Sequence, residues 1–349
     1  MLKISIKYSI NEASIEFFNR WYSSLVESIS LYDGYLKITC LVSKDKNEVE
    51  IKLYFSDQSK LSIWATSQQH VELAEKIKPH LTAPLISKKE EFLNSDSELK
   101  IVLITGGSRG IGRALALRLA ERKDTIVIAV ARNLEALESL RACQPSSIKI
   151  IQADLSEESQ RDNIVQVVKQ LGCNLTHVVH NAAIIDPIKP ISDLSLEEYR
   201  YQQRVNVEAP LFLTNKLLPI MNPHARFLFL TSGVGSAPWS GIGSYSISKA
   251  TLSAICRSFQ IEFVGKNTYF ACLRPGAVDT TMLDALRNSS PEVLPEITLL
   301  KKMEKEGLII SANESAAFIE WVLYETPNNQ YQSDWGISDQ EYQIYKKYR

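Results

Sequence analysis

The 349-residue chain is 45% hydrophobic and 23% charged, with a formal net charge of -1. This is the composition of a globular protein with apolar material for more than one core. A balance so near neutrality supplies no field to recruit nucleic acid or an anionic membrane surface, and no run of about 18 apolar residues is present to span a bilayer. The opening segment "MLKISIKYSI" alternates polar and apolar residues where a secretory signal would show a continuous apolar run, so the chain is expected to be cytoplasmic. Cys40, Cys143, Cys173, Cys256 and Cys272 are odd in number and scattered, which reads as reduced, mostly buried thiols. The five histidines are dispersed too, and no metal site is expected.

In chain order, hydrophobic spacing predicts a strand from Leu2 to Ser9, a helix from Glu12 to Ser30, and strands from Tyr35 to Val42 and Glu48 to Phe55. A second helix, from about Asp57 to Lys78, and a strand from Leu81 to Lys88 follow. The order βαββαβ predicts a ferredoxin-like α+β domain over residues 1–92, with both helices on one face of an antiparallel sheet. Its other face calls for a partner, either a second copy or the rest of the chain. The polar stretch "SKKEEFLNSDSELK" marks the boundary, with a linker at 93–99. From residue 100 to 349, short apolar strands ("KIVLIT", "TIVIAVA", "IKIIQA", "THVVHNA") alternate with helical stretches. This predicts a doubly wound α/β Rossmann domain on a parallel sheet.

The first strand of that domain runs into "ITGGSRGIGRALA". Gly106, Gly110 and Gly112 allow a tight turn and close approach of the backbone to a pyrophosphate, and the free amides of the following helix favour its charge. Set between a strand and a helix, this loop predicts dinucleotide binding.

The spacing T-G-x-x-x-G-x-G, led by Thr105, resembles the short-chain dehydrogenase/reductase family. Further landmarks follow in that family's order: Asp154 after the third strand, "NAA" at 181–183, Asn206 in "RVNVEAPLFLT", Ser232 in "FLFLTSG", Tyr245 and Lys249 in "SYSISKA", and "RPGAVDTT". The resemblance implies that the loop residues Thr105, Gly106, Ser108, Arg109, Gly110, Ile111 and Gly112 bind the cofactor. It assigns the same task to Arg132, Asp154, Leu155, Asn181, Ala182, Ala183, Pro275, Gly276, Val278 and Thr280, with Tyr245 and Lys249. Ala183 stands where the family usually has glycine, and a methyl group there should be tolerated.

By the same resemblance, Tyr245 delivers a proton to a carbonyl oxygen while the nicotinamide delivers hydride. Lys249 binds the ribose and lowers the phenol's pKa from near 10. Ser232 hydrogen-bonds the substrate oxygen, and Asn206 holds a water that extends the proton path. The four-residue spacing of Tyr245 and Lys249 places them on one helical face. At the end of the second strand, "IAVARN" offers Ala131 and Arg132 where a carboxylate would select NAD. With Arg109 as a second cation, NADP is expected over NAD.

Within the family, "VARN", "KKMEKEGLIISANESAAFIEWVL" and "YQSDWGISD" resemble the sepiapterin and benzil reductase group, which reduces vicinal diketones and pteridine side-chain ketones. Trp239 reads as a substrate wall or as packing on a neighbouring helix. Asp334 reads as the acidic anchor of a pterin or as a solvated loop carboxylate. In the first domain, "YFSDQSKLSIWATSQQHVELAEKIKPHL" resembles the antibiotic biosynthesis monooxygenase-like family, with Trp64 and His70 on one helical stretch. The resulting expectation is an NADPH-dependent reductase of a ketone, diketone, quinone or pterin-type substrate, assembled as a homo-oligomer (dimer or tetramer). The alternatives are a bifunctional enzyme whose first domain oxidises an aromatic compound, and a cofactor-binding regulatory protein. The intact Ser232, Tyr245 and Lys249 count against the latter.

Overall fold

The computed structural model describes residues 2–43, 48–91, 99–172, 174–340, 342–343 and 346. The amino-terminal unit comprises β1 (Leu2–Ser9), α1 (Ile15–Ile29), β2 (Tyr35–Ser43), β3 (Glu48–Phe55), α2 (Gln58–Ala65), α3 (Gln68–Ile77) and β4 (Ile86–Glu91). Its sheet runs β2-β3-β1-β4, each neighbouring pair antiparallel. Alternation sends Tyr8 of β1 and Val49, Ile51, Leu53 and Phe55 of β3 to one face, against Phe18, Trp21, Leu25 and Ile29 of α1. Each such aliphatic side chain contributes about 1.5–3 kcal/mol on full burial.

Three details of this unit differ from the expectation. The second helix is two helices: Asp57 accepts from the Lys60 amide to start α2, and Ser67 accepts from the His70 amide to start α3. A capping serine in mid-pattern restarts the backbone, so Trp64 and His70 sit on different helices with ring centres 5.2 Å apart. The last strand forms later than Leu81, which makes only a bridge to Ile10. The apolar side of the strands faces α1 rather than a partner, and the opposite side carries Lys3, Ser5 and Lys7 of β1 beside Tyr54, Lys52 and Glu50 of β3.

Part of that opposite side meets the rest of the chain. A bulge falls between Tyr35 and Lys37, and the extra residue re-aims the strand. Tyr35 stays with the amino-terminal core, whereas Leu36 and Tyr54 join the core that contains Leu99, Ile101 and Leu103. Lys37 is 2% exposed. Its Nζ donates to the carbonyl of Arg122 at 2.8 Å and to that of Thr125. Burial pushes its ammonium down to about 8.

The second unit begins with β5 (Lys100–Thr105), α4 (Gly110–Ala120), β6 (Thr125–Ala131), α5 (Leu134–Cys143), β7 (Ile148–Gln152), α6 (Glu158–Gln170) and β8 (Leu175–His180). It continues with α7 (Leu196–Gln203), a π-helical turn at Arg204–Glu208, α8 (Ala209–Leu217), β9 (Met221–Leu230), α9 (Gly243–Glu262) and β10 (Thr268–Arg274). The chain then runs through α10 (Thr281–Arg287), α11 (Ile297–Lys305), α12 (Ala312–Tyr324), α13 (Asn328–Tyr331) and β11 (Asp334–Gly336). Seven parallel strands lie in the order β11-β10-β9-β8-β5-β6-β7. Both faces are covered: Ile101 and Leu103 of β5 enter one core, Val102 and Ile104 the other. This is the doubly wound arrangement, and the strand order reverses at β5, so a crevice opens at the carboxyl ends of β5 and β8.

Cys256 and Cys272 are buried, Cys40 is half-buried and Cys143 exposed, so burial is less general among the thiols than expected; Cys173 lies outside the described residues. No helix among the described residues is long and apolar enough to cross a membrane.

Candidate active site

The loop between β5 and α4 is built for close approach. Gly106 has φ +68°, and a Cβ there would stand 2.9 Å from the Ala182 Cα and from Nδ2 of Asn181. A Cβ on Gly112 would collide with the Gly106 carbonyl oxygen and the same Asn181 amide. Asn181 fixes the loop by donating Nδ2 to the carbonyls of Thr105 and Gly106 at 2.8 and 3.1 Å. The Thr105 hydroxyl accepts from the amides of Asn181 and Ala182, both at 3.1 Å. No side chain caps α4, whose N-cap is Arg109. Its first amides therefore remain available to an anion.

A cavity of about 940 Å³ runs from this loop across the carboxyl edge of the sheet. Every expected cofactor residue except Thr105 and Gly112 lies on its wall. At one end stand Arg109, Arg132, Asp154 and Leu155. The Arg132 Nη1 donates to the Tyr201 hydroxyl at 2.7 Å and lies 3.9 Å from the Asp154 carboxylate. Asp154 is itself held by the amide and hydroxyl of Ser156 at 2.9 and 2.8 Å. The glycine cradle, the uncapped helix and the two arginines suit a nicotinamide dinucleotide, diphosphate over α4 and the adenosine end at Arg132.

At the other end, Ser232, Tyr245 and Lys249 open onto the same cavity. Tyr245 is 7% exposed and Lys249 3%. Burial pushes the Tyr245 phenol above its ordinary value of 10 and pulls the Lys249 ammonium down to about 8. The Lys249 Nζ donates to the Leu230 carbonyl at 2.7 Å and lies 5.5 Å from the centre of the Tyr245 ring. Burial is the cause that moves the phenol here, and the Lys249 ammonium is held by the Leu230 carbonyl.

Asn206, 1% exposed in the π-helical turn, holds the main chain after β8. Its Oδ1 accepts from the Ile184 amide at 2.9 Å, and its Nδ2 donates to the Ile184 carbonyl at 2.8 Å and to the Ser248 hydroxyl at 3.0 Å. Both amide protons are used. A water expected at this side chain has only the second lone pair of Oδ1 to meet.

Trp239 lines the cavity, as do Ile184, Ile185, Leu283, Leu286 and Met303. Asp334 does not. It is half exposed, outside the lining, and its carboxylate stands 3.7 Å from Nε of Arg274. Asp334 opens the short edge strand β11, paired with Cys272 of β10.

Sequence reasoning missed Tyr201, Gln202, Ser244 and Ser248, all of which bond residues of the site or its immediate support. A signal was present: Gln202 precedes Asn206 by four residues, as Ser244 precedes Ser248, the spacing that shares a helical face.

A family model described as short chain dehydrogenase matches residues 100–291, more than half of the chain. The benzil reductase ((S)-benzoin forming) of Bacillus cereus is 26% identical over 234 residues, covering 64% of this chain and 94% of that protein. A benzil reductase ((S)-benzoin forming) of Saccharomyces cerevisiae is 29% identical over 245 residues, covering 66% and 92%. Among solved structures, a short chain dehydrogenase from Burkholderia cenocepacia in complex with NADP aligns with a TM-score of 0.59 at 23% identity, over 69% of this chain and 96% of that one.

Proposed function

The chain belongs to the short-chain dehydrogenase family, and from that premise we propose that it is an NADPH-dependent carbonyl reductase with Tyr245 as general acid. Its membership makes it an oxidoreductase that works between carbonyl and alcohol with a nicotinamide cofactor. The observation that carries the finer reading is the meeting of Ser232, Tyr245 and Lys249 with the glycine cradle in one cavity.

Reduction requires an acid that is protonated at neutral pH, and the raised pKa of the buried phenol keeps Tyr245 in that form. Ser232 lines the same cavity as Tyr245, which supports its hydroxyl as the group that holds the substrate oxygen. As the phenol gives up its proton, negative charge grows on its oxygen, and the Lys249 ammonium is the nearby cation that stabilises it. When bound, the reduced cofactor supplies the hydride. Arg132 and Arg109 supply the guanidinium groups suited to a 2′-phosphate, which supports NADP.

The apolar wall around Trp239 supports a bulky ketone or vicinal diketone of the kind named for the benzil reductase relatives. For the amino-terminal unit we propose a ferredoxin-like module that braces the reductase. The cavity lining begins at Gly106, and Lys37 holds the opposite edge of the sheet, so nothing favours a shared reaction centre. The test is NADPH oxidation by benzil with the purified full chain. Turnover that stops in Tyr245→Phe supports the reading, and benzil reduction unchanged by that substitution would sink it.

A further inference from the structure

We infer that Gln202 is a positioning residue for the carbonyl substrate, tying the cavity wall to the start of the helix that carries Tyr245. The inference rests on the reduction reading above and goes beyond it in naming what sets the distance between substrate and acid.

Gln202 is 0% exposed at the end of α7. A buried primary amide is costly unless its groups are paired, and here they are paired in a particular way. Both protons of Nε2 go to main-chain carbonyls of one segment, Ile185 at 3.0 Å and Asp186 at 3.1 Å. Its Oε1 accepts from the Ser244 hydroxyl of another segment at 2.6 Å. Ile185 lines the cavity, and it shares a buried cluster with Ile242 and Tyr245. Ser244 is the residue before Tyr245.

Asn206 repeats the pattern four residues later. It grips Ile184 and bonds Ser248, which lies four residues after Ser244. Two buried amides therefore form two rungs between the same wall and successive turns of α9, one on each side of Tyr245 in the sequence. A residue that merely filled space would need no polar groups at this depth, and a single rung would leave the wall free to pivot about Asn206. Loss of the Gln202 rung lets Ile185 and Asp186 drift relative to the phenol, while Ile184 stays with Asn206 and the glycine loop, held separately by Asn181, is left as it was.

The experiment compares Gln202→Leu, Gln202→Glu and Ser244→Ala in the full chain. The readouts are steady-state benzil reduction, the dissociation constant of NADPH, and the binding of benzil to enzyme loaded with oxidised cofactor. In Gln202→Leu, kcat/KM for benzil is expected to fall about tenfold or more, the scale of a lost buried hydrogen bond, with NADPH affinity changed less than about twofold. Gln202→Glu keeps one donor while protonated but sets a carboxylate against two carbonyl oxygens once ionised. Its kcat/KM should fall with rising pH across a range where the wild type is flat.

Ser244→Ala removes one hydroxyl and should show the same split between substrate and cofactor at smaller size. If Gln202→Leu does not fold, the other two variants decide. An unchanged kcat/KM in folded Ser244→Ala together with a wild-type pH profile in Gln202→Glu overturns the inference, as does a loss of NADPH affinity as large as the loss in kcat/KM. If the wild type binds benzil without reducing it, the reduction reading falls, and the benzil dissociation constants of the variants still decide the role of Gln202.

Discussion

At the carboxyl edge of the seven-stranded sheet, the loops after β5, β8 and β9 surround an open cavity, whereas at the amino edge the chain is closed by its own first unit. The contrast lies in which backbone groups are left without partners. Around Gly106 and α4, amides face the cavity with no side chain to cap them. Near the start of β6, the carbonyls of Arg122 and Thr125 are taken by Lys37, and Leu36 and Tyr54 complete the core beneath Leu99 and Ile101. A parallel sheet has polar main-chain ends on both edges. Here one edge opens onto the cavity, and the other is satisfied within the chain.

The sharpest way to break this contrast is at the open edge. Tyr245→Phe keeps the ring and removes the acidic proton, and kcat for carbonyl reduction is expected to fall about 10²- to 10⁴-fold, with NADPH affinity retained. Stopped-flow hydride transfer and fluorescence titration measure the two quantities. A second test separates the arginines: Arg132→Ala should raise the KM for NADPH by roughly ten- to a hundredfold, the scale of one lost charge-assisted contact, and leave that for NADH nearly unchanged. Tyr201→Phe, which frees Arg132 from its hydroxyl partner, should move the same ratio by less.

The pH profile sharpens the comparison further. Lys249 has its ammonium pulled down to about 8 by burial, so it is charged below that pH and neutral above it. With the cation needed beside the developing phenolate, kcat for reduction should stay level below about pH 8 and decline above it. A profile level to pH 10 would mean that the cation is not required.

At the closed edge the expected effect is on stability alone. Lys37→Met removes both of its hydrogen bonds, although the Arg122 carbonyl keeps the Thr125 amide at 3.4 Å, at a cost of about 1–3 kcal/mol, read as a shift in denaturant midpoint. The KM values for NADPH and benzil should not change. A change in either would show that the first unit reaches the cavity through the sheet.

The glycine loop, Asn181, Ser232, Tyr245 and Lys249 were legible as lining of one cavity because they fall at a strand end, a turn and a helix start brought close by adjacent strands. The α/β alternation was legible for the same reason, since β5 and β6 are buried on both faces and read as continuous apolar runs. The break between α2 and α3 was harder to see, because Ser67 interrupts an apolar pattern that continues on both sides. Asp334 could be placed only by its pairing with Arg274, sixty residues earlier in the chain.

The sequence by itself determined the doubly wound fold and the glycine-rich turn between β5 and α4, because each depends on residues within a few positions of one another; residues 93–98 of the expected linker lie outside the described residues. Only the tertiary structure decided that the amino-terminal sheet turns its apolar side to its own helices, that Lys37 ends buried in the opposite contact, and that Gln202 and Asn206 grip the wall beside Tyr245. Those outcomes depend on which hydrogen-bonding groups remain unpaired once the elements pack. Side chains far apart in the chain, Lys37 with Thr125 and Gln202 with Ser244, find one another because a buried donor or acceptor without a partner is costly.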